Sequence, residues 1–202
     1  MTVAATTELE AVNIMLAAIG EAPINTLTGT LPVDAKTAQT TLAEINKEVQ
    51  SEGWSFNTEI DVVLSRDSSN NINLSNNVLV VDPNIHQHPD VDAIQRGLKL
   101  YNRQKHVFTF DEDLTCTIVF LRDFDEIPEP ARKYVIIKAA RVFVDRLVGD
   151  ESLRTYTQQD EIRARAILME TDLSNADHNL LRGDPSLTSV FSTYSPSNAL
   201  IR

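Results

Sequence analysis

The hydrophobic period of this chain changes twice along its length, and that alternation restricts the possible folds more than any other feature. Through Gly53 apolar residues recur at helical spacing, from Trp54 to Leu121 the period falls toward that of a strand, and beyond Pro130 helical spacing returns. A segment patterned for one structure cannot bury its apolar side chains in the other, because helix and strand distribute successive side chains over different faces. The order is therefore helix, helix, sheet, helix, helix.

Local signals sharpen the boundaries. Thr7-x-x-Glu10 is a capping box, Leu9, Val12, Leu16 and Ile19 form one face, and Gly20 followed by Pro23 ends the first helix. After a loop with Gly29 and Pro32, Asp34 is the expected N-cap of a second helix with the stripe Ala38, Leu42, Ile45 and Val49, stopped by Gly53. Residues 60–64, 78–81 and 114–121 read as strands, and residues 98–101 and 106–110 as a hairpin around Asn102-Arg103-Gln104. The Ser- and Asn-rich stretch from Asp67 to Asn77 is expected to be a mobile loop. Pro130 suits the first turn of a third helix running to about Val148, whose Val, Ile and Ala content leaves little polar face. Cover for that helix comes from its own domain or partly from a neighbouring subunit. A fourth helix, from about Glu151 to Asp177, has the stripe Ile162, Ala166, Met169, Leu173 and Ala176. The expected fold class is α+β. A four-helix bundle is built from residues 1–53 and 122–182, with a small antiparallel β region inserted over 54–121 and an extended C-terminal tail over 183–202.

The 202 residues suffice for one domain with an insertion. Net charge is −11, from 18 basic and 29 acidic side chains. Gripping DNA through its phosphates requires the opposite sign on the binding face. An acidic surface can instead line a passage through which DNA slides, or simply keep the protein soluble. A lone cysteine, Cys116, excludes an internal disulfide and fits a reducing cytoplasm. The first twenty residues contain Glu8 and Glu10 and no Lys or Arg, so no secretory signal is expected. The longest apolar runs, such as Ile14 to Ile19, fall far short of the roughly 20 residues that span a bilayer, so no membrane anchor is expected.

Residues that could carry chemistry do not assemble into a convincing site. His86-Gln87-His88 places two imidazoles together near Asp82, Asp90 and Asp92, but Pro83 and Pro89 indicate an exposed loop rather than converging metal ligands. Asp111-Glu112-Asp113 lacks the spacing of a calcium loop and reads as a hairpin tip. Cys116 shares a strand face with Ile118 and Phe120 and is expected to be an inert core thiol. There is no nucleophile elbow and no phosphate-cradling glycine loop. Pairs such as Glu59 with Asp61 are common in any acidic protein. No catalytic residue, metal or cofactor is predicted.

Four groups of residues, in order along the chain, carry a resemblance: Ile19-Gly20-Glu21-Ala22-Pro23, Gly53-Trp54-Ser55-Phe56-Asn57, Leu121-Arg122-Asp123-Phe124-Asp125-Glu126-Ile127-Pro128-Glu129, and Lys138-Ala139-Ala140-Arg141 with Gly149 beyond. Together they resemble the tail tubular protein A family of short-tailed bacteriophages. The segment from Asp67 to Arg96 and the C-terminal tail depart from that pattern. The resemblance implies a structural virion protein, assembled in the host cytoplasm and located in the tail. It implies a homo-oligomeric ring of twelve copies between the portal protein and the tail nozzle (tubular protein B), leaving a DNA channel and needing no cofactor.

On this scaffold Trp54 and Phe56, on one side of a strand, are expected to anchor the sheet to the helices. Asp123, Asp125, Glu126 and Glu129 precede a helix start, with Arg122 pairing to one of them within the subunit or across to the next. Arg122, Asp123 and Asp125 are candidate interface residues, together with Leu187, Val190, Phe191, Tyr194, Leu200 and Ile201 of the tail. Two other functions stay open: a tail-associated cell-wall hydrolase, requiring one carboxyl with a raised pKa, and a different head-tail connector.

Overall fold

The computed structural model describes residues 5–147 and 158–175. Helix α1 (Glu8–Ala18) begins at the expected capping box, with the Thr7 hydroxyl accepting the Glu10 amide and the Glu10 carboxylate accepting the Thr7 amide. It ends in a Schellman motif: Glu21 N–H donates to the Leu16 carbonyl and Gly20 N–H to that of Ala17, with Gly20 at φ +82°. The Asn13 side chain then clasps Ile24 at both its N–H (2.8 Å) and C=O (3.0 Å), which holds the chain back against the helix.

Helix α2 (Val33–Gln50) buries Ala38, Leu42, Ile45 and Val49 as the periodicity predicts. Its N-cap, however, is Pro32, and Asp34 lies within the first turn. The extended φ and ψ that proline favours position the chain for the helix without a side-chain cap. Helix α3 (Glu129–Leu147) is covered within the subunit, with Tyr134, Val135, Ala139, Ala140 and Phe143 all in the core. Of the two covers considered for this helix, its own domain supplies the main one.

Five strands occur among the described residues. β1 (Thr58–Leu64), β2 (Val78–Pro83) and β5 (Leu114–Phe120) form an antiparallel sheet in the order β1-β5-β2, and β3 (Ala93–Arg96) with β4 (Lys99–Asn102) forms a separate two-stranded one. The hairpin partner of β4 is therefore β3, turning at Gly97 (φ +63°), and not residues 106–110, which meet β4 only through the isolated pairing of Val107 with Asn102 and otherwise bridge Asn71 through Thr109. Residues 67–77 are not a loose loop. Asp67 accepts the amides of Ser69 and Asn71 and the side chain of Asn73, while Ile72 and Leu74 are buried. The polar composition that suggested mobility satisfies the backbone of the turn itself.

Two hydrophobic clusters result. One joins the helices with Trp54, Phe124 and Ile127, and the other joins the strands with Ile72, Leu74 and Phe110.

The described helices do not form a four-helix bundle. α1, α2 and α3 pack against one another pairwise, whereas α4 (Gln158–Asn175) lies on the outside of α3. α4 buries only Ala164 and Leu168, and the stripe expected to face the core is exposed: Ile162 at 61%, Met169 at 47% and Leu173 at 59%. Polar contacts lie on the inward face. Glu161 pairs with Arg141 (2.6 Å), Arg165 with Glu52 in a two-pronged contact (2.6 and 2.9 Å), and Asp172 accepts the Ser55 amide (2.8 Å). These residues share a face with Ala164 and Leu168, and rotating Ile162 and Leu173 inward would strip several charges of their partners. The architecture is α+β, with a three-helix core, an applied fourth helix and two small antiparallel sheets. Ala176 and the 183–202 tail lie outside the described residues.

Candidate assembly interface

The two hydrophobic clusters meet where two of the four motifs converge. Gly53 (φ +76°) turns the chain out of α2 with its Cα facing Val119 of β5, where a Cβ would come within 3.3 Å of that side chain. Trp54 lies in the turn that follows, not on a strand, and packs in the helical core with its indole N–H donating to the Val49 carbonyl (2.8 Å). Phe56 packs partly against the same cluster, so the anchoring role expected of the pair holds although the strand does not. Asn57 is buried and its side-chain amide donates to the carbonyls of Gln50 (2.9 Å) and Phe120 (2.8 Å), while its own carbonyl oxygen accepts the Trp54 amide. Gln50, fully buried, accepts the Arg122 N–H (2.8 Å) and donates to the Arg122 C=O (2.9 Å). These two amide side chains extend the hydrogen-bonding of β5 into the end of α2. Removing Asn57 would leave the buried Trp54 amide and Gln50 carbonyl without these partners, and removing Gln50 would do the same for the part-buried Arg122 amide.

The segment emerging from this joint walls a groove of about 440 Å³ against α1 and α2, lined by Glu8, Leu42, Ala43, Asn46 and Leu121 to Asp125. Arg122 does not pair with any of the four following acids. It reaches Glu59 on β1 (2.6 Å) and lies near the Phe120 ring, because its backbone is held in line with β5 and its side chain points back over the sheet. Asp125 accepts the Glu8 amide (3.1 Å), and Glu129 accepts the Thr6 amide (2.9 Å) and hydroxyl (2.6 Å), so both serve the start of α1 across more than a hundred residues. Burial raises the Glu129 carboxyl, but the two Thr6 bonds together with the Arg132 and Lys133 charges outweigh it and the net shift is downward. Asp123 is exposed at the groove rim. Arg132, which the sequence did not single out, is buried beneath this segment and donates to the carbonyls of Ile127, Thr6 and Asp125.

Two of the groups that the sequence offers for chemistry, His88 and Cys116, have structural roles instead. His88 is buried, with Nε2 accepting the Thr115 amide (2.9 Å), so that Nδ1 carries the proton toward Glu112 (2.8 Å). Both ring nitrogens are thus engaged while His86 is exposed, and among the described residues no group of His, Cys, Asp and Glu converges on a metal site. Cys116 is fully buried, and burial, with the nearby Asp82 charge adding, pushes its thiol up to about 12. Each perturbed carboxyl among the described residues, at Glu44, Asp67, Asp111, Asp113 and Glu129, is shifted down, opposite to the raised acid a glycan hydrolase needs. No described helix is long and apolar enough to cross a membrane. Leu187, Val190, Phe191, Tyr194, Leu200 and Ile201 lie outside the described residues.

Comparison with known proteins gives this architecture a setting. A family model described as Tail tubular protein matches residues 9–178. The chain is also similar to the tail tubular protein A of Klebsiella phage KP34, with 28% identity over 170 residues covering 83% of this chain and 88% of that protein. It is a structural component of the virion tail and not an enzyme. The match takes in α1 through α4 and both sheets, and the chain belongs to the tail tubular protein family.

Proposed function

We propose that the chain is one subunit of a ring-shaped adaptor, of twelve copies, that joins the portal protein to the tail nozzle and forms part of the DNA channel. The observation that carries this reading is the family match over residues 9–178, which spans the described fold instead of a single motif. Charge supports it: twelve copies at −11 each give a ring of about −130, a surface along which DNA slides without adhering. In this reading residues 54–121 are a unit inserted between the helical segments 1–53 and 122–182. Asp123 and Asp125, with Arg122 behind them, lie at a contact between subunits. The tail over 183–202, through Leu187, Val190, Phe191, Tyr194, Leu200 and Ile201, binds a neighbouring adaptor or portal subunit.

Light scattering over a wide concentration range, with and without portal protein, tests the ring. Assembly to a mass of about twelve subunits is expected, and a strict monomer in every condition overturns the proposal. A chain ending at Arg182 tests the tail: it keeps its melting temperature and attaches to portal more weakly. A large drop in melting temperature with attachment intact shows that the tail serves its own subunit instead.

A further inference from the structure

The β3–β4 hairpin carries charge of the wrong sign for this protein. Between Ala93 and Phe110 there are four Lys or Arg residues and no Asp or Glu, in a chain of net charge −11. Arg103 and Lys105 are neutralised by Asp92 and Asp111. Arg96 and Lys99 are exposed, and neither has a carboxylate partner among the described residues.

These two cations face each other as a cross-strand pair, and like charges placed directly opposite destabilise a hairpin. The free subunit therefore carries an electrostatic cost that a carboxylate from outside would relieve. Beside them is a preassembled aromatic surface. The Arg96 guanidinium sits 3.6 Å from the centre of the Tyr101 ring, and Phe108, 41% exposed, meets Tyr101 edge-on at 5.0 Å. Leu98 at the turn is 56% exposed. Arginine and rigid aromatics are the residues that dominate binding at protein interfaces. Only two cations remain unpaired and one already covers a face of Tyr101, which disfavours a nucleic-acid backbone or a stacked base as the occupant.

The complementary surface is present on the same chain. The groove rim carries Asp123, Asp125 and Glu8, and the cation beside them, Arg122, is taken by Glu59. The hairpin belongs to the strand cluster and the groove to the helical one, so the two are different surfaces of one subunit. A contact between two different surfaces is heterologous, and it builds a ring when the rotation between successive copies closes. We infer that the outward face of the β3–β4 hairpin of one copy docks at the groove formed by α2 and residues Leu121 to Asp125 of the next copy, placing Arg96 and Lys99 over Asp123 and Asp125. This rests on the ring reading and supplies its subunit contact.

Charge reversal tests it in the full chain, with and without portal protein. Arg96→Glu with Lys99→Glu, and separately Asp123→Lys, are each expected to raise the concentration needed for assembly at least tenfold. Both reversals in one chain restore assembly, as does an equimolar mixture of the two reversed chains. Asp125 is left intact because it serves α1, and melting temperatures check that each variant folds. If a reversed hairpin lowers the melting temperature, Phe108→Ser gives a second probe and should weaken assembly. Wild-type-like assembly of the hairpin variants, or no rescue in the double reversal, overturns this contact and leaves the ring standing. Failure of the wild-type chain to assemble in any condition removes the ring itself.

Discussion

α3 and α4 lie side by side yet are held by different forces. α3 is a core helix: Tyr134, Phe143 and the paired small residues Ala139 and Ala140 are in contact on several sides, and its periphery is tied by Lys138–Glu48 and Arg146–Glu44. α4 is held through Ala164, Leu168 and the polar residues Glu161, Arg165 and Asp172 on one face, with Arg165 also bonding the Tyr134 hydroxyl (3.2 Å). Its most regular apolar stripe faces outward. Periodicity shows that a helix has an apolar face but not which face turns inward; in α4 the inward face carries Ala164 and Leu168 together with the charged groups that find partners on other elements.

Phe143→Ala should produce the largest effect. Truncating this fully buried ring is expected to cost about 3–5 kcal/mol, read as a shift in the urea midpoint or loss of the folded state. Leu168→Ala, on α4, removes a smaller side chain from the thinner contact and should cost about 2 kcal/mol. Equal losses for the two would abolish the distinction between core and applied helix.

Arg165→Ala comes next. Glu52 and Arg165 are both partly exposed, so the ion pair itself contributes little, about 0–1 kcal/mol, with some further loss from uncovering Trp54 and Tyr134. Exchange protection should fall in α4 and stay unchanged in α3. Fraying of both together would mean that the helices form one cooperative unit. By contrast, Leu173→Ser and Met169→Ser should leave the stability of the free subunit within about 0.5 kcal/mol of wild type. A larger cost would show that the outward stripe is covered within the subunit.

The smallest effect extends polar anchoring to the strand region. Hydrogen bonds from the Asn71 backbone, then from the Asn73 side chain, hold the Asp67 carboxyl below its ordinary value. Its folded-state pKa is therefore lower than its unfolded one. The stabilisation is present at neutral pH and is lost as pH falls through the usual carboxylate range toward the folded value. Urea midpoints at pH 7 and pH 3 should differ less for Asp67→Asn than for wild type, and an unchanged difference would remove Asp67 from the acid response.

Much of the helical fold was legible because its determinants are local. The capping box at Thr7, the left-handed stops at Gly20 and Gly53, and the α2 stripe depend on residues a turn or less away. The β3–β4 pairing was missed because residues 93–96 alternate weakly and the better apolar run, 106–110, drew the hairpin one segment too late. The basic hairpin could have been found from the absence of Asp and Glu over 93–110. Asp123 and Asp125 came into view through the resemblance and through their place before a helix start.

What the sequence by itself determined is the alternation of helix and strand, both ends of α1, the stop after α2 and the acidic balance, all set by neighbours in the chain. Only the tertiary structure decided that Gln50 would hold Arg122 from 72 residues away, that Asn57 would reach Phe120 across 63, and that α4 would turn its apolar stripe outward. Those outcomes depend on which polar partners the folded chain brings within hydrogen-bonding distance. A buried amide or charge left without one costs more than an apolar side chain left in water.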